Sequence, residues 1–253
     1  MIDVRNLTKS FGDNLVLDDI SMNVKLGENV VVFGRSGTGK SVLLKCIVRL
    51  LVPEAGEIIV DGKSVHTLKE KDLNELRKEI GFLFQGSALY DSMTVKENLE
   101  FPLVRIKKEL SLPQREKRII EVLKAVDLER AINKMPAELS GGMKKRIGLA
   151  RTIITEPKLI LYDEPTTGLD PITVKEISEL IKELQKDLNV TSLIVTHDLL
   201  CAQIISDRAV VLKDGKIVYD GGLEKLTSSD DKFLKDFFTN ENLVANNGSL
   251  NGK

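Results

Sequence analysis

Long apolar runs are missing from this 253-residue chain: nowhere do the roughly 18 consecutive apolar residues of a bilayer-crossing helix occur. The opening MIDVRNLTKSFG has no basic segment leading into an apolar stretch, so no export signal is read and the chain is expected to be soluble and unexported. Cysteine is scarce. Cys46 and Cys201 are the only two, too few and too far apart for a disulfide framework or a metal-ligand cluster, and both are expected to be small buried side chains in a reducing compartment. A surplus of either charge is also missing, with Lys+Arg 37 against Asp+Glu 38 and a formal net charge of −1. No broad basic field of the kind that attracts nucleic acid follows from that balance, and no nucleic-acid partner is expected. No internal repeat is visible. The length suffices for a core without disulfide staples.

What is present is an alternation of short apolar runs with amphipathic stretches, the pattern of an α/β fold. Residues 30–33 are an apolar run ending at a glycine-rich turn, and 40–51 carry apolar residues at helical spacing, giving strand, loop and helix in succession. Residues 2–4 and 20–24 read as strands around the turn Phe11-Gly12-Asp13-Asn14, and 56–60 as a hairpin arm ending at Asp61-Gly62, which predicts an antiparallel subdomain beside the loop. Residues 80–84 read as a strand ending at Gln85. From about 94 to 155 the pattern turns helical, with Ile119, Ile120, Leu123 and Val126 at apolar positions of one helix and Ser140 as the N-cap of the next. The β/α pattern resumes with a strand at 158–162, a helix at 172–188, a strand at 192–196 and two short strands around Asp214-Gly215. The expected globular part is 1–238, and the polar, Asn/Gly-rich segment 239–253 is expected to be a disordered tail.

Three strings carry chemistry. GRSGTGKS, comprising Gly34, Arg35, Ser36, Gly37, Thr38, Gly39, Lys40 and Ser41 and followed by Val42, fits a phosphate-binding loop. Its glycines let successive N–H groups point into one cradle, Lys40 supplies a point charge, Ser41 offers a hydroxyl to magnesium, and the following helix adds its positive end. LILYDEP ends an apolar strand with two carboxylates where α/β sheets place their ligands. Asp163 there is a candidate for holding magnesium, and Glu164 for polarising an attacking water as general base. In LSGGM, Ser140, Gly141 and Gly142 open a helix with unpaired N–H groups and a hydroxyl, a second anion site. One nucleotide does not need two such sites from one chain, so the second is expected to complete the phosphate shell of a nucleotide bound to another copy. Taken in isolation, the run reads by default as an ordinary Ser N-cap with flexible glycines. Lys144, Lys145 and Arg146 read by default as a solvated helical face.

On these residues the chain resembles the ATP-binding subunits of ABC transporters over about residues 1–238. The resemblance implies a P-loop NTPase (RecA-like) core with an antiparallel β subdomain and an inserted α-helical signature subdomain, hydrolysing ATP with Mg2+. It implies an adenine-stacking role for Phe11, which by position alone is equally a core residue. Gln85 matches the Q-loop glutamine that touches the metal and the γ-phosphate region, so the implied metal set is Ser41, Gln85 and Asp163. Asp170 of Gly168-Leu169-Asp170 matches the loop that crosses the dimer interface, and is otherwise a helix-capping turn before Pro171. His197, in IVTHD, matches the switch histidine at the γ-phosphate, whereas His66 in SVHTLK reads as surface. Met143 departs from the family's usual glutamine, which puts a peripheral polar contact in doubt and leaves the cradle intact.

Val42, where many relatives carry threonine, the stretch GSALYDSM and Met143 make the chain similar to ATPase subunits of the Mla-type, MCE-associated systems that move phospholipids between bacterial membranes. That branch implies four things: a second copy of the chain, a membrane permease, an MCE-type lipid-binding protein, and a place on the cytoplasmic face of the inner membrane, held through the permease. The permease's docking groove would draw on Phe82, Phe84, Leu89, Tyr90, Met93 and Phe101, about half of which are expected to be plain core. Alternative readings are the ATPase of a nutrient importer or exporter, a soluble non-transport ATPase, and a nucleotide-binding scaffold without turnover. The non-transport reading normally needs a long coiled-coil insertion, a second ATPase copy or strongly basic surfaces, none of which is visible.

Overall fold

The computed structural model describes residues 1–228 and residue 231; the expected tail at 239–253 lies outside them. Two sheets organise the chain. The first is antiparallel, built from β1 (Ile2–Phe11), β2 (Asn14–Val24), β4 (Ala55–Val60) and β5 (Lys63–Ser64) in the order β2-β1-β4-β5. The second contains β3 (Asn29–Phe33), β6 (Ile80–Leu83), β7 (Leu159–Asp163), β8 (Thr191–Thr196), β9 (Arg208–Lys213) and β10 (Lys216–Gly221), in the order β10-β9-β3-β8-β7-β6. Five of its strands run parallel, and β10 closes the edge antiparallel to β9.

The parallel strands are apolar without polar alternation because both of their faces are covered. Val31, Phe33, Ile160, Tyr162 and Ile194 point into one core, and Val30, Val32, Leu159, Leu161 and Leu193 into the other. Helices α1 (Lys40–Ile47) and α2 (Glu70–Lys78) contribute to the second core together with the antiparallel sheet. Between β6 and β7 come α3 (Val95–Ile106), α4 (Leu112–Ala125), two short 3₁₀ turns and α5 (Gly141–Ile153), which pack into the first core. That core also takes α6 (Pro171–Leu188), α7 (Leu199–Ile205) and Leu226 of α8 (Leu223–Thr227). Among the described residues no helix is long and apolar enough to cross a membrane, and no cluster of three His, Cys, Asp or Glu could hold a metal.

Four sequence expectations are corrected. The helix expected over 40–51 stops at Ile47, since Arg49 takes a left-handed φ of 51° that a helix cannot continue. Ile120 is 47% exposed while Ile119, Leu123 and Val126 are buried, because the apolar stripe of α4 is narrower than its apolar content. His66 is not a surface residue: it is half-buried with both ring nitrogens out of solvent, and burial lowers its pKa. Lys145 is not on a solvated face either, being only 6% exposed. Helices α2 and α7 are additions to the sequence reading. Cys46 and Cys201 are buried free thiols, and burial raises the pKa of Cys46 to about 11.

Candidate active site

A parallel sheet puts the C-terminal ends of its strands on one edge, and the loops after β3, β6, β7 and β8 therefore meet although they come from four distant parts of the chain. At that edge lies a cleft of about 560 Å³ lined by Val16, Arg35, Ser36, Gly37, Gly39, Lys40, Ser41, Val42, Gln85, Glu164 and His197. The remaining loop residues brace it. The Gly34 carbonyl accepts a 2.7 Å hydrogen bond from Lys40 Nζ, and Thr38 Oγ1 donates to the Arg35 carbonyl at 2.9 Å. Gly39, the N-cap of α1, has a φ of 97°, and a Cβ there would sit 2.8 Å from Leu17 Cδ2 and 3.0 Å from the Val16 carbonyl oxygen. Only glycine satisfies both the backbone and the space.

The acidic end of β7 faces this loop. Ser41 Oγ donates to Asp163 Oδ1 at 2.6 Å, joining the loop to the strand. Glu164 is 7% exposed and has a left-handed φ of 50°, a conformation a non-glycine residue holds only when its surroundings impose it. Its backbone N–H donates to the Val195 carbonyl at 2.9 Å. Its carboxylate lies 3.2 Å from Lys40 Nζ, 2.8 Å from His197 Nδ1 and 3.2 Å from the donating hydroxyl of Thr167. Burial pushes the Glu164 carboxyl up, but His197 and Lys40 outweigh it and hold the group below its ordinary value of 4.5. Glu164 is thus an ionised carboxylate at neutral pH.

The signature residues lie apart from the cleft lining. Ser140 caps α5, its hydroxyl accepting from the Met143 N–H at 3.3 Å, and both Ser140 and Gly141 are exposed. A Cβ on Gly142 would stand 3.0 Å from Thr173 Cγ2, so this helix end packs on the start of α6. Asp170 caps α6, accepting from the N–H groups of Ile172 and Thr173 at 3.1 Å and from Thr173 Oγ1 at 2.6 Å. Phe11 ends β1 47% exposed, with Lys9 Nζ 5.1 Å from its ring centre, and does not line the cleft; Val16 does. Sequence reasoning passed over Val16 and Thr167 and placed Lys145 on a solvated face, since an ordinary valine, a threonine and one cation in a run of three carry no local signal.

The aromatic stretch after β6 divides. Phe82 and Phe84 stack at 4.2 Å, with Phe82 packed on the core, and Leu89 is also packed inward. Tyr90 and Phe101 pair at 4.9 Å near the surface, with Arg105 over Phe101 at 4.6 Å.

With this geometry in view, residues 17–167 match the family model described as ABC transporter. Over 243 residues the chain is 41% identical to the intermembrane phospholipid transport system ATP-binding protein MlaF of Haemophilus influenzae, covering 95% of this chain and 91% of that one. The chain belongs to the ABC transporter family. It is the ATP-binding, ATP-hydrolysing subunit of that family, with the fold of a P-loop NTPase. The MlaF protein of Escherichia coli is 38% identical over 237 residues, 94% of this chain and 88% of that one. Among solved structures, a dimeric post-hydrolysis state of the ATP-binding cassette MJ0796 bound to ADP and Pi superposes with a TM-score of 0.80. It is 36% identical and covers 88% of this chain and 99% of that chain.

Proposed function

We propose that this ABC ATPase works as a head-to-tail pair of identical chains closing over two ATP molecules, and that it drives a permease in phospholipid transport on the cytoplasmic face of the inner membrane. The observation that carries the shared-site reading is the separation just described. Lys40, Ser41, Gln85, Asp163, Glu164 and His197 converge on one cleft, while Ser140 and Gly141 are exposed at the N-terminal end of α5, away from it. Each complete site combines the first set from one copy with the second set from the other, and Asp170 lies at the seam. The phospholipid branch is supported by the likeness to MlaF, whose name states that transport, and an MCE-type lipid-binding protein is the expected further partner.

In this reading the loop N–H groups and Lys40 bind the β- and γ-phosphates and offset their charge. Val16 in the cleft lining receives the base end of the nucleotide, and the exposed ring of Phe11, outside that lining, is the proposed stacking surface for the adenine. Glu164 accepts the proton of the attacking water, His197 and Thr167 fix the carboxylate's direction, and ADP and phosphate leave. Ser41, Asp163 and Gln85 offer the hard oxygen donors that Mg2+ prefers, with the first two already within 2.6 Å of each other. Bound there, Mg2+ would neutralise phosphate charge.

The test is Glu164→Gln in purified protein. Turnover should fall by at least about 100-fold, the scale of general-base catalysis, with ATP binding retained. Hydrolysis near the native rate would refute the role given to Glu164.

A further inference from the structure

Lys145 is a cation buried in α5, the helix that Ser140 caps. Lys145, Gly148, Arg151 and Thr152 share one face of α5 by helical spacing, and that face is pressed against the segment that follows β6. A Cβ on Gly148 would lie 3.0 Å from Leu83 Cδ1 and 3.0 Å from Ser87 Cβ, and one on Gly81 would lie 2.7 Å from Thr152 Cγ2. The side chains of Leu83, Ser87 and Thr152 fill the space a larger residue would need at these glycines, so α5 packs closely on β6 and on the residues that follow it. Within this contact, Lys145 Nζ donates to the carbonyl of Gln85 and, at 3.3 Å, to the carbonyl of Glu164. Six residues on, the Arg151 guanidinium donates to the carbonyls of Ala88 at 2.6 Å and Ser87 at 3.3 Å.

The residues so held are unusual ones. Glu164, Ser87 and Ala88 have φ of 50°, 61° and 47°, left-handed backbone that costs a non-glycine residue on the order of 1 kcal/mol or more and persists only under outside constraint. A buried ammonium is itself unfavourable without acceptors. Burial pulls the Lys145 pKa down, while the Glu164 and Asp163 carboxylates favour its charge.

We infer that Lys145 is a positioning residue for hydrolysis: its ammonium ties the main chain of Gln85 and Glu164 to the signature helix. The Glu164 carboxylate is thereby aimed by the same helix whose N-terminal end binds the other copy's nucleotide. Seating of that helix end on the partner's phosphates is transmitted through Lys145 to the backbone carrying the base. This inference rests on the function proposed above, with Glu164 acting as the base and the signature helix end meeting the other copy's nucleotide.

The experiment compares native protein, Lys145→Met, Lys145→Arg and Glu164→Gln by ATPase kinetics and thermal melting. Lys145→Met should lose about 10- to 100-fold in kcat, the range for a hydrogen bond to a charged group, with the KM for ATP changed less than about threefold. Lys145→Arg, which keeps charge and donors, should recover most of the rate. Should Lys145→Met fail to fold, Lys145→Gln is read the same way. A kcat within about twofold of native in the neutral variant, or an equal loss in Lys145→Arg, overturns the proposal. If Glu164→Gln is inactive while Lys145→Met is not, only this inference fails; if Glu164→Gln is active, the reading beneath it fails.

Discussion

The two anion-binding ends of this molecule differ in how finished they are. At the cleft, Lys40 and His197 hold Glu164 at 3.2 and 2.8 Å and Ser41 holds Asp163 at 2.6 Å, and Lys40 and Glu164 are almost wholly buried. At the signature end, Ser140 is exposed, and its hydroxyl and carbonyl accept only from the first turn of its own helix, from the N–H groups of Met143 at 3.3 Å and Lys144 at 2.9 Å, among the described residues. The cleft is organised by the parallel sheet of its own chain, whereas the signature end, in the function proposed, meets a phosphate only in a second copy. On the function proposed, burial and pairing mark the half that performs chemistry, and exposure of helix N–H groups marks the half that completes it.

That contrast can be broken from either side. The largest effect is expected at the exposed end: Ser140→Arg should reduce turnover about 100-fold, the scale for losing a phosphate-stabilising donor, while nucleotide binding to a single copy, measured by equilibrium titration, survives. Loss of binding would place Ser140 in its own chain's cleft. Next comes His197→Ala, expected to lower turnover about tenfold and also to move the pH profile. Glu164 is held below its ordinary 4.5 partly by His197, so removing the imidazole raises the carboxyl pKa and shifts the acid limb of kcat upward. The sign for stability is the same. A depressed carboxyl stabilises the fold above its ordinary pKa, and that contribution is lost as pH falls below about 4.5 through the folded value, so native protein should lose it in that acid range and His197→Ala, with less of it to lose, should show a smaller acid-dependent loss. Acid titration followed by circular dichroism checks this. The smallest effect is expected from Phe11→Ala, a rise of about three- to tenfold in the KM for ATP, the worth of one aromatic stack, with kcat unchanged.

Contiguity decided what could be read from the sequence. The phosphate loop and the acidic strand end are runs of neighbouring residues, so their chemistry is legible before folding. The strands of the parallel sheet are equally plain, because burial on both faces leaves unbroken apolar runs such as VVVF. Lys145 could not be read, since KKR on a helix looks the same whether or not it is covered. Its burial depends on carbonyls 60 and 19 residues away in sequence. His66 escaped for the same reason, and α7, only seven residues long, is too short for a period to emerge. Asp170 shows the converse. Its capping of α6 is visible in the chain, while its place at a dimer seam is a proposal no single chain displays.

The shared site is tested most directly by the mass of the Glu164→Gln protein in solution with ATP, measured by light scattering with and without Ser140→Arg in the same chain. The account predicts that ATP drives Glu164→Gln to twice the monomer mass, and that the double variant binds ATP yet stays monomeric. An ATP-dependent dimer that persists in the double variant would contradict it.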